Sequence, residues 1–370
     1  MTTPSDRRPG TGDIVLSVDA MGGDKGPAAV VAGLKLFLDG EPDARVLLHG
    51  RAAELEPEIA RRGIGGAVTI VDAAEVVSMD DKPAQVMRRG KGTSMWSAID
   101  AVRDGRAQAC VSCGNTGALM AVSMLRLRKL DGVDRPAIAA LWPSRSPAGF
   151  NVVLDMGADI RADEQDLLAY ALMGASYARN GLGIERPRVG LLNVGTEEHK
   201  GRAELKVAHE IIGRVAPKGG YDYIGFVEGS DLPSDRVDVI VTDGFTGNVA
   251  LKTGEGTARL VIDQLRAALT STPLAAAGAF LARGALRRLQ ERIDPRRVNG
   301  GVFLGLAGTV IKSHGSSDET GVAAALGLAY RLAGLGFAER LAARVASAAA
   351  LAQDAASGGP MPPQGDEDAR

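Results

Sequence analysis

Four residues near the ends of predicted strands have side chains suited to handling an anion. Lys200 and Lys312 can supply positive charge, and Asp243 and His314 can accept or donate a proton. A phosphate group needs cations and hydrogen-bond donors around it, and two lysines with a histidine meet that need. We therefore interpret Lys200, Asp243, Lys312 and His314 as candidate catalytic residues.

These residues belong to a set of five polar loops, each of which contains glycine and follows a short apolar segment. The five loops lie in residues 109–119, 154–159, 191–201, 239–248 and 310–318. A further loop of the same kind begins at Asp19 and turns at Gly22 and Gly23, where a side chain would resist the turn. Ligands of open α/β sheets bind at the carboxyl ends of strands, so we expect the five loops to line one shared cleft. Any one loop could equally be an ordinary turn or helix cap. The candidate ligand-binding residues are Asp19, Gly22, Gly23, Asp24, Asn115, Thr116, Asn193, Thr246, Asn248, Ser316 and Ser317.

The elements that position these loops alternate between strand and helix patterns. This alternation predicts an α/β fold with an open, mostly parallel sheet and helices on both faces. The predicted strands are Ile14–Val18, Arg45–His49, Ala67–Val71, Ala109–Ser112, Ile138–Trp142, Phe150–Leu154, Arg188–Leu192, Tyr221–Phe226, Val237–Val241 and Thr309–Ile311. The predicted helices are Ala28–Leu38, Thr93–Arg103, Thr116–Arg128, Glu164–Ala178, Arg202–Val215, Thr246–Leu269 and Thr320–Ala350. Asp24 is expected to cap the first helix, with Pro27 in its first turn.

The composition predicts one large domain between two short terminal segments. Residues 1–12 are polar and are expected to be flexible, residues 13–350 form the α/β domain, and residues 351–370 form a disordered tail rich in glycine, proline and acidic residues. A helical hairpin is expected at about residues 246–292. The N-terminus lacks the apolar run of a signal peptide, and no 18-residue apolar segment occurs, so we expect a cytoplasmic protein.

Composition and missing motifs exclude several classes of function. The 43 basic and 45 acidic residues nearly balance, and aromatic residues make up only 4%, which argues against a nucleic-acid-binding protein. Neither a P-loop nor the dinucleotide fingerprint occurs. Cys110 and Cys113 have no second pair for a metal site, and Cys113 has no histidine nearby in sequence to activate it as a nucleophile. We therefore expect no cofactor and no metal.

The segment from Pro273 to Gln290 combines an apolar helical face with basic residues. It is too short and too charged to span a bilayer, but it could contact a membrane surface, an acyl chain, an acidic partner protein or a second subunit. An ordinary core helix would give a similar pattern. The candidate contact residues are Leu274, Phe280, Leu281, Arg283 and Arg287.

Four motifs carry a specific family resemblance: residues 19–24 (DAMGGD), 112–118 (SCGNTGA), 242–248 (TDGFTGN) and 311–318 (IKSHGSSD). Together they resemble the bacterial phosphate acyltransferase family of phospholipid synthesis, from about Ile14 to Ala350. The resemblance implies synthesis of acyl phosphate from acyl-[acyl carrier protein] and inorganic phosphate, in a homodimer associated peripherally with the membrane. It also implies a downstream glycerol-3-phosphate acyltransferase as a partner, and a fold similar to phosphotransacetylases and to isocitrate and isopropylmalate dehydrogenases.

Two other functions remain open at this stage. One is an NAD-dependent oxidoreductase of the isocitrate dehydrogenase type, which would need acidic metal ligands and a tyrosine–lysine pair. None of the five tyrosines lies in the five loops. The other is a non-catalytic scaffold for lipid synthesis, which would leave the five polar loops without a purpose.

Overall fold

The computed structural model describes residues 14–293 and 300–346. The predicted flexible segment 1–12 and the predicted tail 351–370 lie outside the described residues, and so do the last four residues of the helix predicted at Thr320–Ala350.

Eleven strands form one continuous sheet, in the order β3-β2-β1-β4-β11-β10-β5-β6-β9-β7-β8. All ten predicted strands are present, with ends that differ by at most two residues. The additional strand, Gly301–Leu304, has only four residues between glycines, too short for the alternation that predicts a strand. The strands are β1 Val15–Asp19, β2 Arg45–Gly50, β3 Val68–Asp72, β4 Ala109–Ser112, β5 Ala137–Pro143, β6 Phe150–Leu154, β7 Arg188–Leu192, β8 Asp222–Val227, β9 Val239–Val241, β10 Gly301–Leu304 and β11 Thr309–Lys312.

Strand direction divides the sheet into two parallel blocks. Strands β3, β2, β1, β4 and β11 run in one direction. Strand β10 is antiparallel to both β11 and β5, and β5 is antiparallel to β6. Strands β6, β9, β7 and β8 are parallel to one another. After these three reversals the second block runs opposite to the first, so the carboxyl ends of the two blocks lie at opposite ends of the sheet.

Helices cover both faces of the sheet, and the predicted mostly parallel α/β fold is confirmed. Two helices were missed: α2 has Pro57 in its interior, and α3 is only seven residues long. The helix predicted to start at Thr320 is two helices, separated at Gly336 with φ +58°. The helices are α1 Gly26–Gly40, α2 Ala52–Arg62, α3 Pro83–Arg89, α4 Ser94–Arg103, α5 Thr116–Arg126, α6 Glu164–Leu182, α7 Ala203–Gly219, α8 Gly244–Leu269, α9 Pro273–Ile293, α10 Glu319–Gly334 and α11 Phe337–Ala346.

The start of α1 corrects one expectation. Asp24 does not cap this helix, because the N-cap position is Lys25 and no side chain accepts a hydrogen bond there. The proline in the first turn is present as expected. The backbone N–H of Asp24 instead donates to the carbonyl oxygen of Gly315 at 2.8 Å, which ties the first loop to the loop after β11.

Within the described residues, no single helix is long and apolar enough to cross a membrane. Two pairs of consecutive helices, each with a bend between its members, reach the required length and hydropathy only when the two helices are combined. The chain bends by 118° between α8 and α9, and by 63° between α10 and α11.

Candidate functional site

The loops after β1, β4 and β11 meet in a first group of polar residues. Asp19 ends β1 and is 2% exposed. Its carboxylate accepts hydrogen bonds from the Ser94 and Ser112 hydroxyls, each at 2.7 Å. Burial raises the pKa of Asp19, although these hydrogen bonds oppose the rise. Asp19 therefore links β1, β4 and α4 through buried hydrogen bonds.

Glycine allows the three loops of the first group to approach through their backbones. A Cβ atom added at Gly22 would lie 2.6 Å from the Gly114 nitrogen. Gly23 has φ +93°, and an added Cβ would lie 2.9 Å from both the Cys113 Cβ and the Gly315 oxygen. A side chain at either position would therefore push the loops apart. The predicted glycine turn is thus a contact between loops as well as a turn.

Lys312 is the buried cation of the first group. It ends β11, is 9% exposed, and its Nζ donates hydrogen bonds to the carbonyl oxygens of Cys113, at 3.3 Å, and Ser313. Burial lowers the pKa of Lys312 to about 8, against the attraction of the nearby Cys113, Asp24 and Asp19. An ammonium held by neutral carbonyls in a poorly solvated place is stabilised strongly by any anion that reaches it.

The loop after Lys312 adds hydroxyl groups and an imidazole. The Ser313 and Ser317 hydroxyls lie 3.0 Å apart. The His314 Nδ1 lies 2.9 Å from the Ser316 hydroxyl and 3.3 Å from the Ser316 backbone nitrogen, which can only donate. This contact assigns the hydrogen of a neutral His314 to Nε2. Partial burial is the main cause that lowers the pKa of His314, which favours this neutral form.

Asn115 has a structural role in this group. Its Oδ1 accepts from the Ala118 nitrogen at 3.0 Å and so caps α5. Its Nδ2 donates to the carbonyl oxygens of Met79, at 2.8 Å, and Asp81, at 3.0 Å. Both amide hydrogens are thus engaged with the loop before α3. Thr116, the first residue of α5, is half-buried beside it.

A second group of polar residues lies at the other end of the sheet, after β6, β7 and β9. Asp243 caps α8 by accepting from the backbone nitrogen of Thr246, at 2.9 Å, and from its hydroxyl, at 2.8 Å. Arg202 forms an ion pair with Asp243 at 2.5 Å. Burial alone would raise the pKa of Asp243, but these bonds hold it below its usual value. Asp243 therefore remains ionised, which suits a helix cap better than the acid/base role predicted for it.

The loop after β6 contains a buried carboxylate that is not among the predicted site residues. Asp155 is fully buried and accepts hydrogen bonds from the backbone nitrogens of Ile138, at 2.8 Å, and Asp159, at 2.7 Å. Burial raises its pKa, and these bonds partly compensate. The Nδ2 of Asn248 donates to the Met156 oxygen in the same loop at 3.3 Å. The available signal in the sequence was the motif LDMGAD, in which an aspartate directly follows an apolar strand.

Lys200 and Asn193 complete the second group. Lys200 is 42% exposed and forms an ion pair with Glu197 at 2.7 Å. The hydrogen bond that its ammonium donates to this carboxylate raises the pKa of Lys200. The Nδ2 of Asn193 donates to the Lys200 carbonyl oxygen at 3.3 Å. The Oδ1 of Asn193 is buried, and no described residue donates a hydrogen bond to it.

The five predicted loops therefore do not line one shared cleft within the chain, and that expectation was wrong. Lys312 and Lys200 belong to different groups at opposite ends of the sheet. Helix α8 connects the two ends. It begins at the cap Asp243, while Lys252 and Glu255, further along, lie close enough to His314 for their charges to affect its pKa in opposite directions.

The α8–α9 pair exposes most of its surface in the described chain. Leu281 is 85% exposed, and Leu274 and Phe280 are also exposed. The Arg283 guanidinium lies over the Phe280 ring at 4.6 Å. Arg287 is exposed on the same helix. The core-helix alternative for this segment thus fails within a single chain. Among the described residues, no cluster of three His, Cys, Asp or Glu side chains is placed to hold a metal ion.

Comparison with known proteins relates this chain to one family. A family described as "Fatty acid synthesis protein" matches residues 14–340. The phosphate acyltransferase of Paracoccus denitrificans is 69% identical over 348 residues, which are 94% of each chain. That of Rhodobacter capsulatus is 68% identical, over 94% of this chain and 88% of its own length.

Solved structures show a likeness in fold alone. A phosphotransacetylase from Streptococcus pyogenes has a TM-score of 0.57 at 17% identity, over 86% of this chain and 93% of its own. A branched-chain phosphotransacylase from Enterococcus faecalis has a TM-score of 0.56 at 15% identity, over 86% and 99%. The predicted likeness to phosphotransacetylases is confirmed, and the relatives favour the acyltransferase over the dehydrogenase and scaffold alternatives. The chain belongs to the phosphate acyltransferase family.

Proposed function

We propose that this enzyme makes acyl phosphate from acyl-[acyl carrier protein] and inorganic phosphate, and that the reaction takes place at the first group. The observation that supports this location is the buried ammonium of Lys312 at the meeting point of three glycine-bearing loops. Two of its N–H groups contact carbonyl oxygens, and a lysine ammonium has a third to offer. An anion bound there would stabilise the charged form that burial disfavours.

The proposed reaction needs no acyl-enzyme. An oxygen of hydrogen phosphate attacks the thioester carbonyl carbon, the C–O bond forms, and the C–S bond breaks. The phosphate proton passes to the departing pantetheine thiolate, so the products are acyl phosphate and the free thiol. Lys312 stabilises the negative charge on phosphate and on the carbonyl oxygen in the transition state. The His314 Nε2–H supplies a hydrogen bond to the phosphate, while the Ser316 hydroxyl donates to His314 Nδ1 and orients the ring.

The test is acyl phosphate formation from palmitoyl-[acyl carrier protein] and phosphate, with hydroxylamine to trap the product. Lys312→Ala should lower the rate about 10²-fold or more, as when a preorganised charge-stabilising group is lost. Lys218→Ala is the matched control, because Lys218 is an exposed lysine on α7 and lies away from the first group. Trapped product in the wild type with equal rates in both variants would place the phosphate elsewhere.

We further propose that the exposed face of α9 contacts a membrane surface or a second subunit. The exposed leucines and the arginines beside them suit the boundary between lipid headgroups and acyl chains. A homodimer that associates peripherally with the inner face of the cell membrane would deliver its product to a downstream glycerol-3-phosphate acyltransferase. Vesicle co-sedimentation and the solution mass test these two contacts separately.

A further inference from the structure

Helix α3 presents a basic surface that the catalytic proposal does not use. This α3 basic surface consists of Lys82, Arg88, Arg89 and Lys91, all exposed. Three of them, with Ala84 and Gln85, line a concavity of about 350 Å³. Within the described residues, none of the four forms an ion pair with an acidic side chain.

This surface is attached directly to the first group. Asn115 caps α5 and holds the carbonyl oxygens of Met79 and Asp81 in the loop that leads into α3. The Met79 methyl group lies 3.1 Å from the position where a side chain at Gly315 would begin. Val86, the buried residue of α3, packs in the same cluster as Ala118 and Leu119 of α5. The loop before α3 thus forms one wall of the region around Lys312.

We propose that the α3 basic surface is the docking surface for the acidic protein carrier of the acyl donor. This proposal rests on the function proposed above, since it concerns the protein that carries the thioester. Four unpaired basic side chains complement an acidic protein surface, and the exposed Met79 and Met87 add adaptable apolar contact at its edges. A carrier seated on α3 would present its pantetheine arm to the neighbouring Lys312 region.

The position of α3 favours it over the α8–α9 pair for this role. Helix α8 continues for 17 residues beyond Lys252, the part of the helix that lies near Lys312. At 1.5 Å per residue, the far end of α8 is about 25 Å from Lys252. A carrier bound at that end would have to hold its thioester at a distance, whereas one bound on α3 lies beside the loops of the first group.

The experiment compares two donors: palmitoyl-[acyl carrier protein] and S-palmitoyl-pantetheine, which lacks the protein. For Arg88→Glu/Arg89→Glu we expect KM for the carrier-bound donor to rise at least about tenfold at low ionic strength, and less at high salt, because exposed charges are screened. The rate with the pantetheine thioester should stay within about twofold of wild type. Lys218→Glu, which reverses an exposed charge on α7, should change neither value.

Each other outcome has a definite meaning. If the wild type forms acyl phosphate from both donors and the double variant is unchanged with both, docking on α3 is refuted while the proposed function stands. If the double variant loses activity with both donors alike, the surface supports the fold or the catalytic group and the docking proposal fails. If the variant loses binding to anionic vesicles but keeps its KM for the carrier-bound donor, the surface contacts membranes instead. If the wild type forms no acyl phosphate from either donor, the proposed function itself fails.

Discussion

Burial of the Lys312 ammonium predicts a stability that depends on pH in a specific direction. The pKa of this lysine falls from 10.5 to about 8 in the folded chain. Between these values the unfolded chain binds a proton that the folded chain does not, so the free energy of unfolding rises with pH in this window. Below pH 8 both states are charged, and the full penalty of burying the ammonium is present.

The magnitude follows from linkage between the two pKa values. Between pH 7 and pH 10, wild-type protein should gain about 2 kcal/mol of unfolding free energy from this group alone. Lys312→Met removes the titrating group and keeps a flexible side chain of similar length. The unfolding free energy of wild type minus that of Lys312→Met should therefore rise by about 2 kcal/mol across this range, while titration of other groups cancels in the difference.

Urea unfolding of both proteins at pH 7, 8, 9 and 10 measures this difference. The same unfolding experiment is repeated with added phosphate. If phosphate binds the ammonium, it should stabilise wild type at pH 7, lose that effect as pH rises through about 8, and have no such effect on Lys312→Met. Wild-type activity should fall over the same pH range. A difference in unfolding free energy that is flat from pH 7 to pH 10 would refute the argument, because the lysine would then be as well solvated folded as unfolded.

Four further variants test other parts of the structure. Lys200→Ala should lower activity less than about tenfold, because Lys200 is exposed and lies with the second group; a loss near 10²-fold would mean that a second chain brings the two groups together. Cys113→Ala should keep most activity, since burial raises the pKa of this thiol and leaves it unreactive; an acylated Cys113 peptide found by mass spectrometry during turnover would contradict this. Leu281→Glu should reduce vesicle co-sedimentation with an unchanged melting temperature, since Leu281 is 85% exposed; a large fall in melting temperature would indicate a structural role. Gly23→Ala should lower stability and activity more than Gly26→Ala, because both have positive φ but only an added Cβ at Gly23 meets neighbouring atoms within 4 Å; equal effects would show that the loop contact is unimportant.

The sequence predicted the elements of this fold better than their arrangement. Short apolar strands bounded by glycine and polar residues gave ten of the eleven strands, because burial on both faces leaves a clear apolar run. The missed elements are too short to show a hydrophobic periodicity, or they contain a proline that is untypical of the element. Helix α3 has seven residues and begins at Pro83, and β10 has four residues.

The error about a shared cleft has a physical cause in strand direction. A strand pattern has the same period whichever way the strand runs, so the five loops could not be divided between two ends of the sheet from sequence alone. The reversal depends on β10 and on β5, which pairs with β10 through Ala137–Ala139 and with β6 through Ala140–Pro143. With β10 unrecognised, the prediction of a mostly parallel sheet placed all five loops at the same end of the sheet.

Three of the predicted site residues form hydrogen bonds or ion pairs that hold the loops in place. The Asp19 carboxylate accepts hydrogen bonds from two serine hydroxyls, and the Asn115 amide donates to carbonyl oxygens of the loop before α3. Asp243 caps α8 and forms an ion pair with Arg202. Polar residues at strand ends thus have two uses that sequence alone cannot separate, since a cap and a ligand contact favour the same side chains. What distinguishes Lys312 is that its charge is buried without an ion pair among the described residues, and its pKa is lowered as a result. Such a charge adds nothing to the stability of the protein, and this supports the proposal that an anionic ligand binds there.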